Sequence, residues 1–191
     1  MDSGMYHFHS GPRNSLSLFA MELTKLLTHF SERNFKKGDF LIREGQICQQ
    51  IFFIKEGMVK ICSYIDDREF IMRFFQENMF VTVMNSFVDQ TPSHFQIKAL
   101  EDGKALMLHK DKMEELCKTH HEIETFFRKL TSWVASNAIT RLSTVLENDA
   151  ATRYRIFLKN HGELMQRISL GDLSSYLGIT QASLSKIRAK K

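Results

Sequence analysis

Hydrophobic and polar positions change their period twice along this chain of 191 residues. From Ser15 to Phe30, the residues Leu16, Phe19, Leu23, Leu26, Leu27 and Phe30 recur at helical spacing and predict a short amphipathic helix. Short β-type runs then take over: Phe35, Phe40-Leu41-Ile42, Ile51-Phe52-Phe53-Ile54, Met58-Val59-Lys60-Ile61 and Phe70 to Phe75. Lys37-Gly38-Asp39, Glu44-Gly45-Gln46, Lys55-Glu56-Gly57 and Asp66-Asp67 punctuate them as turns. Phe95 to Ala99 and Ala105 to Leu108 carry the pattern to about Lys110, which predicts a sandwich or jelly-roll barrel. The chain has 16 Phe, most of them here, enough for a large aromatic core.

From Lys112 the period is helical again. Met113 and Leu116 predict a short helix, and a longer one runs from about His120 to Leu146. Its stripe is Ile123, Phe127, Leu130, Val134, Ala138, Leu142 and Val145, widened by Phe126, Trp133 and Asn137 on a neighbouring face. One stripe suffices to pack on the barrel, whereas a doubled one also pairs with a second copy of itself. The expected dimer seam is Ile123, Phe127, Leu130, Trp133, Val134 and Asn137, with Asn137 helping to fix register; a thick core helix in a monomer is the alternative.

Glu147-Asn148-Asp149 breaks the pattern and predicts a hinge, followed by a helix from Ala150 to Asn160 that His161-Gly162 ends. The stretch from Ile168 to Arg188 then spells two short helices. Ser169 with Asp172 is a capping box, and Leu170, Leu173 and Leu177 form one apolar face. Gly178 stops this helix, Thr180 caps a second, and Leu184 and Ile187 supply its buried side. That is a helix-turn-helix, with Gln181, Ala182, Ser185, Lys186, Arg188 and Lys190 outward for base edges and phosphates. Ser169, Thr180 and Ser183 complete the candidate DNA contacts. An ordinary helical hairpin with a solvated basic face is the competing reading.

Charge supports the helix-turn-helix. From Ala150 onward Arg153, Arg155, Lys159, Arg167, Lys186, Arg188, Lys190 and Lys191 face only Glu163 and Asp172, a basic end on a slightly acidic body whose overall charge is +4. No apolar run is long enough to span a membrane, and no signal-peptide pattern opens the chain. Cys48, Cys62 and Cys117 lie far apart and read as isolated thiols in a reducing cytoplasm. No catalytic constellation is present, and His7, His9 and the adjacent His120-His121 give little reason to expect a metal.

The pattern Asp172-Leu173-x-x-Tyr176-Leu177-Gly178-Ile179-Thr180-x-x-Ser183-Leu184-Ser185-x-Ile187-Arg188 resembles the C-terminal helix-turn-helix of the CRP/FNR superfamily of bacterial transcription regulators. Lys37-Gly38-Asp39, Ile42-x-Glu44-Gly45 and Phe53-Ile54-x-x-Gly57-x-Val59-Lys60 resemble the glycine turns of its cyclic-nucleotide-binding β-roll. The resemblance implies an α+β protein. It comprises a flexible tail (1–14), a β-roll sensor (15–119), a long dimerisation helix (120–147) and a helix-turn-helix domain (148–191); the wing hairpin that follows in the family is expected to be missing or reduced here. It also implies double-stranded DNA with a palindromic operator as partner, a homodimer, RNA polymerase as a further candidate partner, and a cytoplasmic location.

The ligand cassette departs from the family. Thr82-Val83 stands where a Gly-Glu pair would hold the ribose, and Ser93-His94 where Arg and Ser would hold the cyclic phosphate. Without a guanidinium a buried phosphate has no bidentate partner. No cofactor is expected, and cAMP and cGMP are not expected to bind. The degenerate pocket of Thr82, Val83, Met84, Ser93 and His94 is expected either to be a filled core or to take an apolar effector. Three cysteines are too few for a four-thiolate cluster, while haem is neither favoured nor excluded. The expected function is DNA-binding regulation; an effector-binding module whose helix-turn-helix contacts protein is the alternative.

Overall fold

The computed structural model describes residues 26–189, so the predicted tail, most of the first helix and Lys190 lie outside the described residues. Eight strands follow in order: β1 (Ser31–Phe35), β2 (Phe40–Ile42), β3 (Gln50–Glu56), β4 (Val59–Ile65), β5 (Arg68–Phe75), β6 (Phe80–Val81), β7 (Gln96–Ala99) and β8 (Gly103–His109). They form two antiparallel four-stranded sheets, ordered β1-β8-β3-β6 and β2-β7-β4-β5. The turns expected from sequence are there for a conformational reason. Gly38, Gly45 and Gly57 have φ of 90°, 80° and 83°, and Asp66 and Asp67 are both left-handed in the two-residue turn that pairs Ile65 with Arg68.

Between the sheets Phe35, Phe52, Ile54, Val59, Val81 and Ile97 build a core with little exposure. A short helix, α1 (Met84–Asp89), follows β6. It had no sequence signal, since Val83 at its N-cap offers no side-chain acceptor.

The helical half contains α2 (Lys110–Thr119), α3 (His121–Glu147), α4 (Ala150–His161), a 3-10 turn (Gly162–Gln166), α5 (Leu170–Leu177) and α6 (Gln181–Ala189). Asn148 and Asp149 separate α3 from α4, and Asp149 caps α4 by accepting the Thr152 amide at 2.8 Å. Only the first turns of α3 are buried, where Ile123 and Phe127 join the β-roll core.

A second core was not foreseen. Met58, Cys62, Ile71 and Phe74 point out of the β4–β5 sheet and pack on Phe157, Leu164, Leu173, Leu177 and Leu184 of the helical end. Phe74, Phe157 and Tyr176 are in ring contact there, with centroids 5.2 to 6.5 Å apart. The strand β4 is therefore covered on both faces.

Candidate nucleic-acid interface and sensor pocket

The helix-turn-helix assembles as its caps dictate. The Ser169 hydroxyl accepts the Asp172 amide at 3.0 Å, and Asp172 Oδ2 accepts the Ser169 amide at 3.2 Å. Gly178 closes α5 in the left-handed region at φ 69°, with its N–H donating to Ser174 and Ser175 carbonyls. Thr180 caps α6, its hydroxyl accepting the Ser183 amide at 3.1 Å and pairing with the Ser183 hydroxyl at 3.0 Å. Leu173, Leu177 and Leu184 hold the two helices together.

This leaves one face of α6 open. Gln181, Ala182, Ser183, Ser185, Lys186 and Arg188 are all exposed, and so are the two capping residues Ser169 and Thr180. The Gln181 amide lies over Gly171 of α5, where a Cβ would stand 3.1 Å from its nitrogen. An amide, small side chains and two cations on one short capped helix suit hydrogen bonding to base edges with phosphates on either side.

Arg153, which sequence charge placed toward a polyanion, has another role. Its Nε donates to the Leu177 carbonyl at 3.2 Å and its Nη1 to the Asn148 carbonyl at 2.7 Å. Arg141 of α3 donates to the Tyr176 carbonyl and lies 4.0 Å from that ring's centre. Two guanidiniums thus satisfy carbonyls at the C-terminal end of α5, where positive charge is favourable.

Further ionic contacts were not anticipated from sequence. Lys60 of β4 is only 5% exposed, and its Nζ lies 2.8 Å from Glu69 and 2.6 Å from Asp172 Oδ1. Burial alone would lower the Lys60 ammonium, but the hydrogen bonds from Asp172 and Glu69 outweigh it and the pKa rises. Burial alone would likewise raise the Asp172 carboxyl, yet Lys60 and Ser169 hold it below its ordinary value. Arg167 donates to Glu77 through both Nη atoms at 2.8 Å, and to Glu101 at 2.9 and 2.5 Å. These bonds hold the Glu77 carboxyl below its usual range. Nearby, burial pushes the Cys62 thiol up to about 11, so it stays neutral.

The side chains expected to line a degenerate ligand pocket are tied down by local hydrogen bonds. Thr82 Oγ1 donates to the Gln50 carbonyl at 2.9 Å, and Val83 is buried at the start of α1. Met84 is half-buried beside it. Ser86 accepts the Cys48 amide at 2.9 Å and donates to the Thr91 carbonyl at 2.6 Å. Buried Ser93 donates to the Phe95 carbonyl at 2.7 Å and accepts its amide at 3.0 Å. His94 is exposed. Among the described residues, no buried side-chain nitrogen or oxygen lacks a partner.

The expected seam of α3 is divided by the structure. Ile123 and Phe127 are buried in the chain's own core, which removes them from any partner-facing surface. Leu130, Trp133, Val134 and Asn137 are half-buried; Arg73 lies 4.9 Å from the Trp133 ring centre and the Asn137 amide donates to the Trp133 carbonyl at 2.7 Å. The exposed apolar surface lies further along, at Ile139 (69% exposed), Leu142 (57%) and Leu146 (74%). Among the described residues, no helix is long and apolar enough to cross a membrane.

Comparison with known proteins agrees with this geometry. Residues 32–120 match the cyclic nucleotide-binding domain. The Anaerobic regulatory protein of Bacillus subtilis is 28% identical over 51% of this chain, and the match spans 42% of that protein's length, under half of it. The solved c-di-GMP responsive global regulator CLP of Xanthomonas campestris superposes with a TM-score of 0.73 at 16% identity, covering 90% of each chain. A transcriptional regulator of the crp/fnr family from Eubacterium rectale gives 0.70 at 14% identity, covering 92% of this chain and 86% of that one. Residues 32–120 are thus similar to a cyclic nucleotide-binding domain, and the chain has the fold seen in the solved CRP/FNR-type regulator.

Proposed function

We propose that this protein is a sequence-specific, DNA-binding transcription regulator that acts as a homodimer in the cytoplasm, through binding and not catalysis. The single observation that carries the reading is α6: a capped helix with Gln181, Ser185, Lys186 and Arg188 exposed along one side, held by a buried Leu184. Two such helices related by a dimer axis would enter successive major grooves of a palindromic site roughly 34 Å apart. The exposed stripe Ile139, Leu142 and Leu146 supports the dimer, because its i, i+3, i+7 spacing makes a helical seam.

The β-roll reading is narrower than the domain's name. Val83 accepts no ribose hydrogen bond, and Ser93 is committed to the backbone of Phe95. A cyclic phosphate at this site would be desolvated without a guanidinium partner, a cost of several kcal/mol. The protein therefore acts without cAMP or cGMP.

Selection of bound duplexes from a random-sequence pool tests the reading. It should yield an inverted repeat, and Gln181→Ala should relax preference at one base pair per half-site by about 1–3 kcal/mol. Equal weakening on selected and random DNA would mean that Gln181 touches only the backbone.

A further inference from the structure

The helix-turn-helix is fastened to the β-roll at two ionic points that its fold alone does not require. Lys60 sits on the outward face of β4 among Met58, Cys62 and Phe74, where an apolar side chain would complete the packing. Its Asp172 partner is shared between two tasks: Oδ2 closes the capping box on Ser169, and Oδ1 receives Lys60 from the other half of the molecule. Arg167, two residues before Ser169, forks onto Glu77 just after β5 and onto Glu101 between β7 and β8.

A buried ion pair adds little net stability over an apolar pair of the same volume, but it admits few geometries. The apolar cluster around Phe74 tolerates sliding, whereas two separated, directional ionic contacts oppose rotation about either one. We propose that Lys60 and Arg167 are positioning residues that fix the angle of α5 and α6 on the sheet, so that the β4–β5 hairpin, together with the short link at Asn148 and Asp149, sets where the reading helix points. This rests on α6 being the DNA-reading helix. A change in the sheet at Lys60 or Glu77 then reaches α6 directly, without passing along α3.

The test is a distance measurement in the full chain, independent of DNA. Spin labels are placed at exposed Asp67→Cys on the β4–β5 turn and exposed Asn160→Cys at the end of α4, with Cys117→Ser. Cys48 and Cys62 are buried, and dilution with unlabelled chain leaves only distances within one chain. The parent should give one narrow distance. Lys60→Met and the half-exposed Arg167→Glu should broaden it and add longer distances, and Arg167→Glu with Glu77→Arg should restore the narrow peak. A narrow peak in both single variants, with only a lower melting temperature, would make the contacts mere glue and overturn the proposal, as would failure of the charge swap to restore it. A second readout uses operators of varied half-site spacing: the single variants should lose the parent's preference for one spacing while binding an isolated half-site as before. If the parent binds no DNA at any spacing, the regulator reading fails, while the distance distribution still decides the positioning claim.

Discussion

Glycine and cap residues carry the local geometry, and their costs separate by mechanism. At Gly178 the left-handed φ of 69° is the whole constraint, since an added Cβ would meet nothing within 4 Å. At Gly57 the φ of 83° is joined by crowding: a Cβ would lie 2.5 Å from the Asp102 carbonyl oxygen, a backbone atom in a fixed chain. Gly178→Ala should therefore cost about 1–2 kcal/mol, the left-handed penalty alone. Gly57→Ala should cost clearly more, because backbone must also move. Denaturant unfolding of the two variants checks the order, and equal losses would show that the β-roll turn yields easily. These residues were legible in sequence because a turn or cap is a local affair: Ser169 and Asp172 need only each other, three positions apart.

Elements were legible where their signal was local, and misread where a partner decides the face. Most strands and the long helix follow from period alone, while the two-residue β6 is too short to show one. What α3 packs against does not, because Ile123, Phe127 and Leu142 share one stripe in sequence yet divide between the chain's own core and open solvent. Past Asn137 the apolar residues Ile139, Leu142 and Leu146 stand exposed among the described residues, whereas Leu130, Trp133 and Val134 before them are half-buried. Dimerisation should then depend on the later part of the helix. Leu142→Lys or Ile139→Lys should leave the fold intact and give monomers, since each places an unpaired charge in a desolvated seam. Sedimentation reads this directly; a persistent dimer in both variants would move the seam elsewhere. The helix α1 escaped detection for the opposite reason, having neither a capping side chain nor a period long enough to show.

At the scale of the whole molecule, the fastening of the helical end to the sheet was the least legible feature. Its one sequence trace is β4 with the residue before it, where Met58 and Cys62 alternate with Val59 and Ile61, so both faces are apolar and Lys60 interrupts only one. That pattern means a strand covered twice, but not by what. The fastening carries a pH signature. Asp172 and Glu77 have carboxyls held below their ordinary values when folded, so their contribution is present above about pH 4–5 and lost as pH falls through the folded values. Lys60 is raised when folded, so its contribution is complete below the ordinary lysine value of about 10.4 and is lost as pH rises through the folded one. The stability gap between wild type and the Lys60→Met, Arg167→Gln double variant should form a plateau across neutral pH and close toward pH 3. Thermal unfolding at a series of pH values measures it, and a gap unchanged at pH 3 would remove the ionic contribution.

The central claim is that α6 binds DNA through its cations and that this binding needs no cyclic nucleotide. Equilibrium binding to a selected operator, measured across a salt series with and without saturating cAMP, tests both halves together. Log affinity should fall linearly with log salt at a slope of about 0.9 per neutralised phosphate, and the two lines should coincide. A flat salt response would contradict a DNA-reading α6, and a tighter line with cAMP would show that the segment from Thr82 to Ser93 grips a cyclic nucleotide after all.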